Sequence, residues 1–85
     1  MKNEFKISEI STETSGDYVS FVISDRDGRR AATIARTAIR VLAASTEYDE
    51  TQVIRDNAGK IREAAVKWRK ANPDALVVAL GSYDF

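Results

Sequence analysis

Residues 50–71, between Asp49 and Pro73, contain no proline and only one glycine, Gly59. Apolar side chains recur through this stretch at helical spacing. With successive residues about 100° apart, Val53, Ile54, Ala58, Ile61, Ala64, Ala65, Trp68 and Ala71 fall on one arc of roughly 140°. Asp49 fits as the N-cap, with Gln52 three residues on as a capping-box variant. The helix must stop near Ala71–Asn72, because the residue before a proline is pushed out of the α region. One continuous helix about 33 Å long is therefore expected, at about 1.5 Å per residue. In a chain of 85 residues that element takes about a quarter of the length. The remainder has to supply the surface that covers its apolar arc.

The N-terminal half reads as that surface. FKISEIS places Phe5 and Ile7 on one side of a strand, and STETSGD supplies turn residues, with Gly16 suited to a positive φ. YVSFVIS alternates, so Val19, Phe21 and Ile23 face a core while Ser20 and Ser24 face outward. The Asp-Gly pair of DRDG then signals a hairpin. RRAATIARTAIRVLAAS can be read as one helix, or as a strand pairing back on YVSFVIS followed by a short helix from Arg36 to Ser45; the turn directly before it favours the second. Near the C-terminus LVVAL reads as a buried strand, and GSYDF follows. The expected fold is α+β: an antiparallel sheet in the order β-β-β-α-α-β, two-layered, with one long helix in the C-terminal half packed on it.

Composition removes whole classes of chemistry. There is no cysteine and no histidine. Disulfides, thiolate metal sites, Ser-His-Asp triads and Cys-His dyads are thereby excluded within one chain. The usual general base is missing as well. DRDGRR resembles the start of a calcium loop only superficially, because the later carboxylate is lacking and two arginines follow at once. The four glycines are scattered, so no phosphate loop is formed. No catalytic residue, metal or cofactor is expected. No apolar run approaches the ~18 residues that span a bilayer, and MKNEFKISE lacks the apolar middle of a signal peptide; a cytoplasmic location without membrane contact is the expectation.

Charge is balanced overall at 13 basic and 13 acidic residues, but it is segregated. Residues 1–28 carry −3, residues 29–45 carry +4 from arginine alone, residues 46–50 carry −3, residues 51–70 carry +4, and residues 71–85 carry −2. On the long helix, Asp56–Lys60 and Glu63–Lys67 stand four apart in the favourable order and are expected to pair. Arg55, Arg62 and Arg69 line one flank of the apolar arc with no carboxylate three or four residues away. Either their stems cover the core edge and their heads reach water or the acids of residues 1–28, or they form an anion or partner surface together with Arg36 and Arg40. Trp68, inside the arc, is expected in the core. Asn57 also falls in the arc and must find a hydrogen bond there or cost about 1–3 kcal/mol. Gly59 lies on the exposed side, where it either admits the backbone of a second subunit or is simply tolerated.

Val19 and Phe21, Gly28, the run Ile34, Ala38, Ile39 and Leu42, the pattern Asn57, Ile61, Ala64 and Ala65, and the closing Asp84-Phe85 together resemble the small bacterial family of domain of unknown function 1488, the YrdB-like proteins. The resemblance spans residues 5–85. It departs where Ala58 stands in place of the family's arginine, and in an N-terminal strand without the family's aromatic or proline-rich character. It implies three strands, two helices and a strand, with residues 29–35 a strand, and implies no activity for any residue. The functional expectation is a non-enzymatic protein-interaction or regulatory module, a homodimer or a complex with another protein, with Asn57, Gly59 and Trp68 as candidate structural or interface positions. The alternatives are a nucleic-acid-binding regulator using the arginine-rich surfaces, including Arg29 and Arg30, and a small-ligand or anion site at the sheet–helix boundary.

Overall fold

The alternation of YVSFVIS is the frame on which the sheet is built. In the computed structural model, which describes residues 5–12, 16–26 and 28–85, three strands come first: β1 (Lys6–Ser11), β2 (Tyr18–Asp25) and β3 (Gly28–Ala35). Helices α1 (Arg36–Ala43), α2 (Glu50–Asp56) and α3 (Ala58–Ala71) follow, then β4 (Val77–Leu80) and a 3-10 turn at Ser82–Asp84. The expected N-terminal four residues, turn residues 13–15 and Asp27 lie outside the described residues.

The sheet order is β1-β2-β3-β4. β2 and β3 are in antiparallel register from Tyr18↔Ala35 to Asp25↔Gly28, which settles residues 29–35 as a strand. Gly28 opens β3 at φ +115, a conformation only glycine takes without strain. Val19, Phe21 and Ile23 are buried on one face with Ala32, Ile34, Val78 and Leu80. The helices cover that face with Ala38, Ile39, Val53, Ile54, Ile61, Ala64 and Ala65, giving the expected two layers. The opposite face carries Ser20, Val22, Ser24, Ala31, Thr33 and Ala79, with Ser8 from β1, and no helix among the described residues covers it.

β1 keeps its apolar side chains inward by a bulge. Ser8 pairs with Val22 and Ser11 with Ser20, so three steps on β1 oppose two on β2. Glu9, at φ 52, takes up the extra residue. The shift lets Ile7 and Ile10, three apart, both pack against the core beside Phe5.

Three expectations are corrected. The sheet is mixed: β3 and β4 run parallel, from Ala31↔Val77 to Ile34↔Leu80. Helices at residues 36–71 lie between them, long enough to carry the chain back over the covered face to the starting end of β3, so the returning strand runs alongside in the same sense. The single long helix is two, α2 and α3, meeting at Asn57 (φ −112, ψ 24). Asn57 meets the polar demand foreseen for it by donating Nδ2 to the Val53 carbonyl at 2.8 Å. That carbonyl also receives the Asn57 N–H at 3.1 Å, and this crowding of the ladder bends the axis. The third correction concerns LVVAL. Only Val78 and Leu80 of this run are buried, because β4 is an edge strand covered on one face, and Leu76 is 86% exposed.

The expected N-cap forms, but without the reciprocal half of a capping box, because the Gln52 side chain donates to Asp56 Oδ1. Asp49 Oδ1 accepts from the Gln52 N–H at 3.2 Å, and Asn72 Nδ2 closes α3 on the Trp68 carbonyl at 2.9 Å. The Cα radius of gyration is 12.2 Å, close to the ~12 Å of a compact chain of this length.

Candidate functional site

The five arginines singled out by the sequence divide into two groups. Arg36 opens α1 at the junction with β3 and is held on all sides. Its Nε donates to Glu50 Oε2 at 3.0 Å, Nη1 to the Gly16 carbonyl at 2.6 Å and Nη2 to the Thr12 carbonyl at 2.7 Å. One guanidinium thus ties the loop before β2, the start of α1 and the start of α2 together, using the spread of donors that arginine alone offers. Arg69, near the end of α3, donates Nη1 to Asp25 Oδ2 at 3.1 Å. Both are partly buried. Their charge is committed to folding, and the reading that the stripe pairs with acids from residues 1–28 holds for Arg69.

Arg55 and Arg62 are exposed on α2 and α3. Arg40, also exposed, borders a shallow open depression with Ala44, Ser45, Thr46 and Tyr48. That depression lies at the C-terminal end of α1, where unpaired carbonyls favour a cation and disfavour an anion. Arg40 therefore complements its own helix end. The stripe of three arginines is divided by the bend at Asn57 and by the Arg69–Asp25 pair, and the structure does not gather Arg36, Arg40, Arg55, Arg62 and Arg69 into one surface.

Two further arginines serve the sheet. Arg29 pairs with Glu9, bridging β3 to the bulge of β1. Arg30 pairs in register with Ile23 on the helix-covered face, and its Nε is buried without a hydrogen-bond partner, a donor whose desolvation is not offset. The exposed i,i+4 pairs expected on the helix do not close: Asp56 accepts from Gln52 Nε2 at 2.7 Å, and neither Asp56–Lys60 nor Glu63–Lys67 forms an ion pair. Holding two long exposed side chains together costs as much entropy as their attraction in water returns.

Trp68 is at the margin of the core, partly buried and packed against it. A Cβ built on Gly59 would meet nothing within 4 Å, so no backbone of this chain approaches it closely.

The residues that reasoning from sequence missed lie on and around β4. From Ala75 to Tyr83 the chain carries no charge. β4 ends the sheet, so its outer edge has no strand beside it among the described residues. Leu76, Val77 and Tyr83 are 86%, 43% and 87% exposed. The Gly81 N–H donates to Asp84 Oδ2 at 2.7 Å, which sets the 3-10 turn, and the Tyr83 ring lies over Gly81. The signal was present in the unbroken apolar run, which a central strand and an edge strand can share. Among the described residues, no group of three or more acidic side chains is disposed to hold a metal ion, and no helix is long and apolar enough to cross a membrane.

No family model, no curated protein and no solved structure matches this chain.

Proposed function

We propose that this chain is a protein-interaction module without a catalytic step, and that its contact surface is the β4 side of the sheet. One observation carries the reading: an uncharged run, Ala75–Tyr83, that exposes Leu76, Val77 and Tyr83 beside a strand edge with no neighbouring strand among the described residues. Unpaired backbone groups beside exposed apolar side chains are what a second polypeptide uses when it adds to a sheet. The likeness to the domain of unknown function 1488 family, carried by Asn57, Ile61, Ala64 and Ala65, belongs to the same proposal and supplies no activity. A nucleic-acid reading draws on exposed arginines, but Arg36 and Arg69 are occupied by carboxylates, and the net charge is zero.

The test is site-specific photocross-linking in native lysate, with a benzophenone side chain at position 83 or at position 62. Adducts from position 83 and none from 62 are expected. Absence of adducts from 83, or adducts from 62 alone, would overturn the assignment of the surface. A low-salt titration with fluorescent duplex DNA and RNA is expected to show no binding.

A further inference from the structure

We infer that the occupant of the β4 edge is a second copy of this chain, joined to the first by antiparallel β4–β4 pairing about a two-fold axis. The inference rests on the interaction-module reading and names its partner.

The two edges of the sheet are built differently. β1 carries the devices that discourage pairing: the bulge at Glu9, the charges of Lys6 and Glu9, and the Arg29–Glu9 bridge across to β3. Each twists, charges or occupies the edge. β4 carries none of them. Its nearest charges along the chain are Asp74 and Asp84, and Asp84 is turned back onto the Gly81 N–H.

Charge selects the partner. A strand that docks here meets no charge over Ala75–Tyr83, so a charge that such a strand points to the helix-covered face, beside Val78 and Leu80, would be buried without a counter-charge. A second copy brings the same uncharged run, and neither chain then desolvates a charge. An isologous contact of this kind closes after two copies, because the outer edges of the joined sheet are then the two β1 strands. The product is one continuous sheet, four strands from each copy, with the helices of both on the same side.

The pleat fixes the register. Residues directly opposite across an antiparallel pair share a face. Val78 and Leu80 are on the helix-covered face, so positions of equal parity must meet. Pairing Val78 with its own copy sets Leu76 opposite the partner's Leu80 and Val77 opposite the partner's Ala79. This register covers Leu76, which is 86% exposed, with another leucine. The alternative, centred on Ala79, sets Leu76 against Ser82 and leaves it uncovered. A contact of one short strand from each side falls below the ~800 Å² per partner of standard stable interfaces, so the dimer is a weak one, with a Kd on the order of tens to hundreds of micromolar.

Light scattering on the full chain from about 5 to about 500 micromolar brackets that range. The mass is expected to rise from one chain to two, and the 76–80 amides are expected to gain hydrogen-exchange protection over the same range. Leu76→Lys, at a position too exposed to threaten folding, is expected to stay at one chain throughout, while Val66→Lys, at an exposed position on α3 outside the pairing strand, dimerises like the wild type. A single-chain mass for the wild type at the highest concentration, a mass beyond two chains, or undiminished dimerisation of Leu76→Lys would each overturn self-pairing. Adducts from position 83 to a different protein, with a monomeric wild type, would sink the self-pairing and leave the interaction module standing; no adducts from position 83, in lysate or with the pure chain at about 500 micromolar, would remove both.

Discussion

Arg69 on α3 reaches Asp25 at the tip of the β2–β3 hairpin, an N–H···O distance of 3.1 Å between residues 44 apart in sequence. The pair pins the far end of the helix layer to the far end of the sheet, and both side chains are mostly buried, at 27% and 20% exposure. A double-mutant cycle with Arg69→Gln and Asp25→Asn is expected to show a coupling of about 1 kcal/mol by urea unfolding. The coupling should persist in part at about 1 M salt, where exposed pairs are screened to within ~3 Å. A coupling that vanishes at moderate salt would show the pair to be a surface contact only.

Arg36 is expected to matter more than any other arginine. Arg36→Ala removes three hydrogen bonds from a charged donor, two of them to the Thr12 and Gly16 carbonyls, at a cost of about 2–4 kcal/mol. Arg36→Lys should recover less than half, because one ammonium cannot reach three diverging acceptors. Arg55→Ala and Arg62→Ala, at exposed positions, should stay within about 0.5 kcal/mol of wild type. Chemical denaturation of the four variants side by side gives the ordering.

Two glycines should respond in opposite directions. Gly59→Ala is expected to stabilise by about 0.5–1 kcal/mol, since the site is helical and open around the new methyl group. Gly28→Ala should destabilise by about 1–2 kcal/mol, because its φ of +115 is strained for any side chain. A rise in melting temperature for the first and a fall for the second checks both.

Burial orders the two large residues of α3. Ile61, at 0% exposure, should cost about 3–5 kcal/mol on truncation to alanine. Trp68→Ala should cost less, about 1.5–3 kcal/mol, because part of its ring is already in water. Equal losses would mean that Trp68 is a full core residue, as its place on the helical wheel alone had implied. Stability of both variants follows from thermal or urea unfolding read by far-ultraviolet circular dichroism, which does not depend on the single tryptophan.

The strands β2 and β3, the cap at Asp49 and the stop at Asn72 were legible because each is written locally, in alternation, a turn pair, a capping side chain or a proline next to the end it closes. Asn57 was legible as a problem but not as a solution. Its place in the apolar arc demanded a hydrogen bond, yet whether that bond ran across an interface or back to Val53 depends on a backbone bend that periodicity does not record. The partner of Arg69 was legible only as one of the acids of residues 1–28: the wheel places it beside no acid, and only the folded sheet singles out Asp25. The direction of β4 was likewise out of reach, since it is decided by the net path of α1, α2 and α3 and not by any residue of LVVAL.

The parallel pairing of β3 with β4 also imposes an order of events. β2 and β3 meet across a two-residue connection, on the microsecond scale of hairpins. Ala35 and Val77, by contrast, bracket the whole helical connection, residues 36–76, and closing a loop of that length costs about 3 kcal/mol in chain entropy before any contact returns it. Refolding is therefore expected to be gated by the arrival of the last strand, with pulse-labelled amides of Phe21 and Ile23 protected ahead of those of Val78 and Leu80. Until that closure, Ala31 to Ile34 on β3 stand as a bare template for whichever β4 arrives first, so refolding at high concentration sets a chain's own strand in competition with its neighbour's.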